Sequence, residues 1–417
     1  MGYLPSFGSV LRVVGGVLVV SLISTAGLLY RYQTSLIYPS SFPSGSRAQV
    51  STPDEYDLPY HEHELVTPDA EKVRVFVMLQ GTKLATARPS RSSGSNQDGD
   101  QSEDRKSTST QTGRVQLDHF DSELAKTRPT VLFLHANAGN MGHRLPIAAV
   151  FFKRFGCNVV MLSYRGYGFS SGSPSERGIK IDTQTTLDFI RAHPSLSPTV
   201  LVAYGQSIGG AIAIDLAARN PASVHALLLE NTFLSIPELI PHVLPPVRPF
   251  AFLCREFWNS GIAITKISEK VPVLFLSGRQ DELVPSAHMD ALFGLCRSAI
   301  KAFKQFPSGT HNDTCIQPRY FEYISEFLLA HVVGLVRDRD IDEKGEDADG
   351  LQQGAAELDV GEAQKTGPTA QSERASGDEA DDWVKMSHSE VIDAAKDVKS
   401  HAVEQGQAPT LSRAPEL

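Results

Sequence analysis

The chain has 417 residues, of which 41% are hydrophobic, and 48 acidic against 39 basic side chains give a net charge of −9, a balance that argues against nucleic acid as a partner. Apolar residues concentrate between Pro129 and Val333, so one globular domain with a large core is expected rather than two or three. The four cysteines, Cys157, Cys254, Cys296 and Cys315, lack metal-ligand spacing and read as thiols in or near that core, which needs no disulfide staple.

Val10–Tyr30 is apolar apart from Arg12 and a few small polar residues, long enough as a helix for a hydrocarbon layer of about 30 Å. It reads as a single-pass membrane anchor over residues 10–30. Ser24-Thr25-Ala26 resembles a signal-peptide cleavage site, but the apolar run continues through Leu28 and Leu29, longer than such a signal needs. Arg12 and Arg31 flank it evenly and leave the orientation open. Residues 31–57 carry Pro, Ser and few apolar side chains, the composition of a juxtamembrane spacer. His61–Val66 and Lys72–Leu79 flank Thr67-Pro68-Asp69-Ala70, and alternation of Val73, Val75 and Val77 predicts a half-buried hairpin. His61 and His63 read as exposed strand histidines, since no further ligand cluster accompanies them. Residues 81–128 turn to Ser, Thr, Gln, Gly and charge, a disordered insertion between strands.

Five near-continuous apolar runs follow: Val131–Leu134, Val159–Leu162, Val200–Ala203, Val224–Leu229 and Val271–Leu276. Between them, Arg144–Phe155, Glu176–Arg191 and Gly209–Arg219 have helical spacing. This alternation predicts an α/β fold, a mostly parallel, doubly wound sheet with helices on both faces. Chemistry in such a sheet is sought at the carboxyl ends of the strands. There Gly205-Gln206-Ser207-Ile208-Gly209 lies between an apolar run and a small-residue helix, the strand–turn–helix setting that a nucleophile elbow requires. A Cβ at either flanking glycine would collide where the helix turns back on the strand. Asp281 follows one late strand and His311 the next, the chain order Ser, Asp, His used with such elbows. Ser207, Asp281 and His311 are therefore the candidate catalytic residues. A serine hydroxyl is a poor nucleophile near neutrality; His311 would take its proton, and Asp281 would orient and stabilise the imidazole. Glu282 and Asp313 are substitutes for the acid, and His288 is a rival base. The loop His135-Ala136-Asn137-Ala138-Gly139-Asn140 is placed to supply one oxyanion-hole N–H, from Asn137, with that of Ile208 as the second. Arg165, in a glycine-rich loop, ties loops together rather than cradling phosphate. No cofactor and no metal is called for.

Residues 233–266 are apolar and proline-rich, a small cap that suits an acyl-containing, apolar substrate. Asp338–Leu417 is acidic and rich in Gly, Ala and Gln, a disordered tail in which residues 381–399 form a conceivable partner-binding helix. His135–Arg144, Tyr164-Arg165-Gly166-Tyr167-Gly168, Gly205–Gly210, Glu230-Asn231-Thr232-Phe233 and His311-Asn312-Asp313 together resemble the fungal Bem-forty-six family of membrane-anchored α/β-hydrolases, to which the animal α/β-hydrolase domain-containing protein thirteen is similar. The resemblance spans roughly residues 58–333. It implies the α/β-hydrolase fold, a serine hydrolase with the triad on Ser207, Asp281 and His311, and a membrane location at the endoplasmic reticulum or cell periphery. One departure is Ala136, where relatives show Gly; if that site needs a glycine-only backbone angle, the oxyanion loop is distorted. Two readings follow: a membrane-anchored hydrolase of acyl esters or thioesters, its substrate a lipid or lipidated protein, and a catalytically decayed scaffold on the same fold.

Overall fold

The computed structural model describes residues 7–81 and 123–335; most of the expected insertion and the whole acidic tail, with its conceivable helix, lie outside the described residues. Eight strands form one sheet in the order β1-β2-β4-β3-β5-β6-β7-β8. β1 (His61–Val66) and β2 (Lys72–Met78) are the expected antiparallel hairpin, and β2 pairs antiparallel with β4 (Asn158–Ser163). The remaining pairs are parallel, through β3 (Thr130–Leu134), β5 (Leu201–Gln206), β6 (Ala226–Glu230), β7 (Val273–Gly278) and β8 (Lys301–Phe306).

β3 to β7 are buried at every residue, which is why they read as unbroken apolar runs. Side chains alternate between two layers. Leu132, Ala203 and Leu227 face a core completed by two central helices, one over Glu176–Ala192 and one over Ile208–Arg219. Val131, Val202 and Leu228 face a core completed by helices at Leu145–Lys153 and Tyr320–His331. In chain order the helices are α1 (Phe7–Ile37), α2 (Leu145–Lys153), α3 (Glu176–Ala192), α4 (Ile208–Arg219), α5 (Ile236–Val243), α6 (Ala287–Leu295) and α7 (Tyr320–His331). All four cysteines are free and buried.

Four expectations need correction. α1 has the length and composition to cross a membrane, but it exceeds the expected 10–30 at both ends. Residues 31–57 are not a bare spacer. Gln33 and Tyr38 are buried, and Tyr38 Oη donates to Glu256 Oε2 at 2.7 Å while accepting from Trp258 Nε1 at 2.9 Å. The stretch looked like a linker because it satisfies loop polar groups instead of filling the core: Gly139 N donates to Phe42 O at 2.7 Å, and Asn140 Nδ2 donates to Ser46 O and Gln49 O, both at 2.9 Å. His61 and His63 are half-buried rather than exposed, because the His63 ring lies 4.9 Å from that of Phe189 on α3. The end of the expected insertion is also ordered: Glu123–Lys126 is a helical turn that buries Ala125. Asn158 receives the Gln80 N–H at 2.9 Å and donates to Ala125 O at 2.8 Å, so one side chain holds both ends of the insertion close together.

Arg165 ties three elements, as its loop position suggested. Its Nε donates to Asp182 Oδ1 on α3 at 2.9 Å, and Nη1 and Nη2 fork onto Asp69 in the β1–β2 turn at 2.7 and 3.0 Å. Burial pushes the Asp182 carboxyl up against the pull of Arg165, while hydrogen bonding from Arg165 holds the half-exposed Asp69 well below the carboxylate range. Removing Arg165 would leave Asp182 charged, buried and unpaired, a loss of about 3–5 kcal/mol, whereas losing the exposed Asp69 partner is worth about 1 kcal/mol or less. Arg165→Leu is expected to lower the thermal midpoint of the detergent-solubilised chain by roughly 10 °C, and Asp69→Asn by a few degrees at most, as read by a thermal melt.

Candidate active site

The site begins where β5 ends. Ser207 takes φ 55°, ψ −121°, outside the regions favoured by L-residues, a strain of about 1–3 kcal/mol that neighbouring contacts must hold in place. Its N–H donates to Glu230 O at 2.9 Å, and its carbonyl accepts from Thr232 Oγ1 at 2.7 Å and from Gly210 N at 3.0 Å. The flanking glycines are sterically required. A Cβ on Gly205 would stand 2.1 Å from Gly209 O, and one on Gly209 would stand 2.0 Å from Leu134 O. α4 therefore starts in backbone contact with the adjacent strands, and Ser207 sits at the amino end of its dipole.

His311 lies in the loop after β8 and Asp281 in the loop after β7. His311 Nδ1 is 2.8 Å from Asp281 Oδ2, and that carboxylate is almost fully buried. The other oxygen, Oδ1, accepts the N–H groups of Leu283 and Val284 at 2.9 and 2.7 Å, so Asp281 shapes its own turn and holds the imidazole at once. A carboxylate accepting at Nδ1 fixes the proton there and leaves the Nε2 lone pair free to act as a base. The substitutes do other work. Glu282 Oε2 accepts the His311 N–H at 3.2 Å, Asp313 Oδ1 accepts the Thr310 N–H at 2.6 Å, and His288, on α6, accepts the Leu234 N–H at 3.3 Å beside the His242 ring.

The nucleophile and base loops are tied by side chains that the sequence reading gave no role. Gln206, next to Ser207, donates from Nε2 to His311 O at 3.0 Å. Asn231 donates to Thr310 O, His311 O and Thr314 Oγ1 at 3.2, 3.3 and 3.0 Å and accepts the Gly278 N–H at 2.8 Å, clamping the end of β7 to the histidine loop. Glu230 is fully buried, its carboxyl pushed up by that burial, and Tyr204 Oη and Tyr320 Oη donate to its Oε2 at 2.6 and 2.5 Å. The signal was present: polar residues closing otherwise apolar strands. The structure thus joins Asp281 to His311 and ties their loop to residue 206. Among the described residues Ser207 Oγ has no hydrogen-bond partner, His311 included. Serine–base bonds are commonly loose without substrate and tighten in the complex.

At the expected oxyanion loop, Asn137 Nδ2 donates to Ile37 O at 3.2 Å, and Asn137 O accepts from Tyr167 Oη at 2.8 Å. No hydrogen bond among the described residues takes up the backbone N–H of Asn137 or of Ile208. Ala136 does not use a left-handed angle; the positive φ of this loop belongs to Gly139, at 78°. Alanine at 136 therefore introduces no backbone strain. Beneath the loop, His135 is buried against Tyr164, ring centroids 4.1 Å apart, and burial pushes its imidazole down to about 3, keeping it neutral.

A family model for the alpha/beta hydrolase fold matches residues 129–247. Protein bem46 of Schizosaccharomyces pombe is 47% identical over 312 residues, covering 75% of this chain and 90% of that protein. The chain belongs to the Bem46 family of α/β-hydrolase-fold proteins. A second relative, the membrane protein YNL320W of Saccharomyces cerevisiae, is 36% identical over 315 residues, 76% of this chain and 95% of that one. An α/β hydrolase from Vibrio vulnificus shares the fold, with a TM-score of 0.51 at 18% identity over 72% of this chain and 94% of that one. A hydrolase-type function is in keeping with family and fold.

Gly209→Ala places its Cβ 2.0 Å from the Leu134 carbonyl oxygen, whereas Gly210→Ala meets the Cβ of the buried Thr232 at 2.7 Å, a milder overlap that still requires a backbone adjustment. Gly209→Ala is expected to destabilise by about 3 kcal/mol or more, the upper end for overpacking, and Gly210→Ala by about 1–2 kcal/mol, measured by thermal denaturation.

Proposed function

We propose that the protein is a serine hydrolase of acyl esters or thioesters, held at a membrane by α1, with a lipid or lipidated protein as its substrate. The observation that carries this reading is the buried Asp281–His311 pair at 2.8 Å, whose loop is tied to the residue preceding a serine held at φ 55°. His311 Nε2 takes the Oγ proton as Oγ attacks the acyl carbonyl, and the negative charge on the carbonyl oxygen falls to the N–H groups of Asn137 and Ile208 at the amino end of α4. Collapse expels the alcohol or thiol with the proton from His311 and leaves an acyl-serine. Water, deprotonated by the same imidazole, then releases the acid and restores the hydroxyl. Membrane attachment is supported by the apolar α1 and by a relative that bears the name of a membrane protein.

The alternative, a scaffold without catalysis, draws on one observation, the absence of a hydrogen bond at Ser207 Oγ among the described residues. Hydrolysis of p-nitrophenyl acetate by the detergent-solubilised full chain separates the two. Turnover that falls on the order of 10⁴-fold in Ser207→Ala and in Asp281→Asn is expected of the triad; wild-type turnover no greater than that of Ser207→Ala would favour the scaffold.

A further inference from the structure

The end of α1 and the cap enclose an apolar groove beside the candidate oxyanion loop. Its walls include Leu29, Leu36 and Ile37 from α1 and Leu244, Phe250 and Ala251 from the cap, and it is a narrow groove of about 60 Å³, partly open to solvent. Its main polar lining residue is spent on the protein itself: Gln33 donates to Tyr30 O and Leu253 O at 3.0 and 3.3 Å and accepts the Arg255 N–H at 2.6 Å. Cys254 Sγ likewise donates to Glu256 O. A polar ligand would lose its hydration there without a replacement, whereas an aliphatic chain would not.

The groove is a fixed feature of the fold. The Arg255 guanidinium lies 4.3 Å from the centre of the Tyr30 ring and donates to Tyr30 O at 3.1 Å, holding the cap against the helix. Its ends have different surroundings. At one end Ile37 lines the groove while its carbonyl accepts from Asn137, so this wall adjoins the loop assigned to the reacting carbonyl. At the other, Leu29 continues into the exposed apolar surface of Leu22, Ile23 and Leu28 on the membrane-crossing candidate, and the nearby cap turns Phe252 outward at 80% exposure. A larger cleft lies along α3, but Glu176, Lys180, Asp188 and Arg219 line it with charges of both signs, which does not suit an aliphatic chain.

Resting on the serine-hydrolase reading above, we propose that the groove between α1 and the cap binds the acyl chain of a bilayer-resident substrate, which enters along α1 and presents its ester or thioester carbonyl to Ser207. α1 is then a wall of the substrate site as well as a tether.

The test uses the full chain in phospholipid nanodiscs. In Ser207→Ala protein, a palmitoyl ester carrying a diazirine on its chain is expected to crosslink to residues 244–254, with at least a tenfold loss when Leu36→Trp or Ala251→Trp is added to fill the groove. Crosslinks confined to residues 11–28, or unchanged by both fillings, would overturn the proposal. This readout needs no turnover, so it stands apart from a failure of the hydrolase reading, which p-nitrophenyl acetate reports. With Ser207 intact, the filled variants are expected to lose at least tenfold more in kcat/KM for p-nitrophenyl palmitate than for p-nitrophenyl acetate. Equal effects on both esters, or no effect on the palmitate, would count against the groove.

Discussion

Where α4 leaves β5, backbone meets backbone. The first turn of the helix lies so close to the end of β3 that no side chain fits at position 209, and none fits at 205 against the carbonyl of 209. This proximity forces the intervening serine into a strained conformation and lifts it to the carboxyl edge of the sheet. The surrounding core makes the strain affordable: β5 is buried at every residue between two apolar layers, and Thr232 and the Glu230 carbonyl grip the backbone of Ser207 from β6. Loosening that contact would release the backbone of Ser207 from the edge of the sheet.

A second layer of polar clamps converts sheet order into site order. Asn231 and Gln206 act from the ends of β6 and β5 on the backbone of the histidine loop, while Asp281 divides its oxygens between its own turn and the imidazole. Residues 37–49 accept hydrogen bonds from Asn137, Gly139 and Asn140, so the chain that emerges from α1 braces the candidate oxyanion loop. α1, the residues around 253–255 and the candidate oxyanion loop are thus tied to one another.

Much of this was legible in the sequence because the relevant signals are local. Buried parallel strands announce themselves as unbroken apolar runs, the elbow by glycines two residues either side of Ser207, and the acid and base by their places after β7 and β8. What escaped depends on partners distant in the chain. Gln33 looks like part of a spacer until Leu253 and Arg255 are brought beside it. Residues 31–57 imitate a linker since their role is to satisfy backbone groups rather than to bury side chains. His61 and His63 looked exposed because alternation does not reveal that Phe189 of α3 covers their face of the hairpin. The doubt attached to Ala136 came from the resemblance, in which relatives show Gly there; the left-handed angle falls three residues later, at Gly139.

The proposed chemistry requires that His311 deprotonate the hydroxyl of Ser207. The most direct measurement is to treat the full-length protein in detergent with a fluorophosphonate, digest it and locate the phosphonyl group by mass spectrometry. A single adduct on the peptide carrying Ser207, absent when His311 is replaced by Ala, is the predicted result. Folded protein that takes up no phosphonate, or takes it up at a different residue, would contradict it.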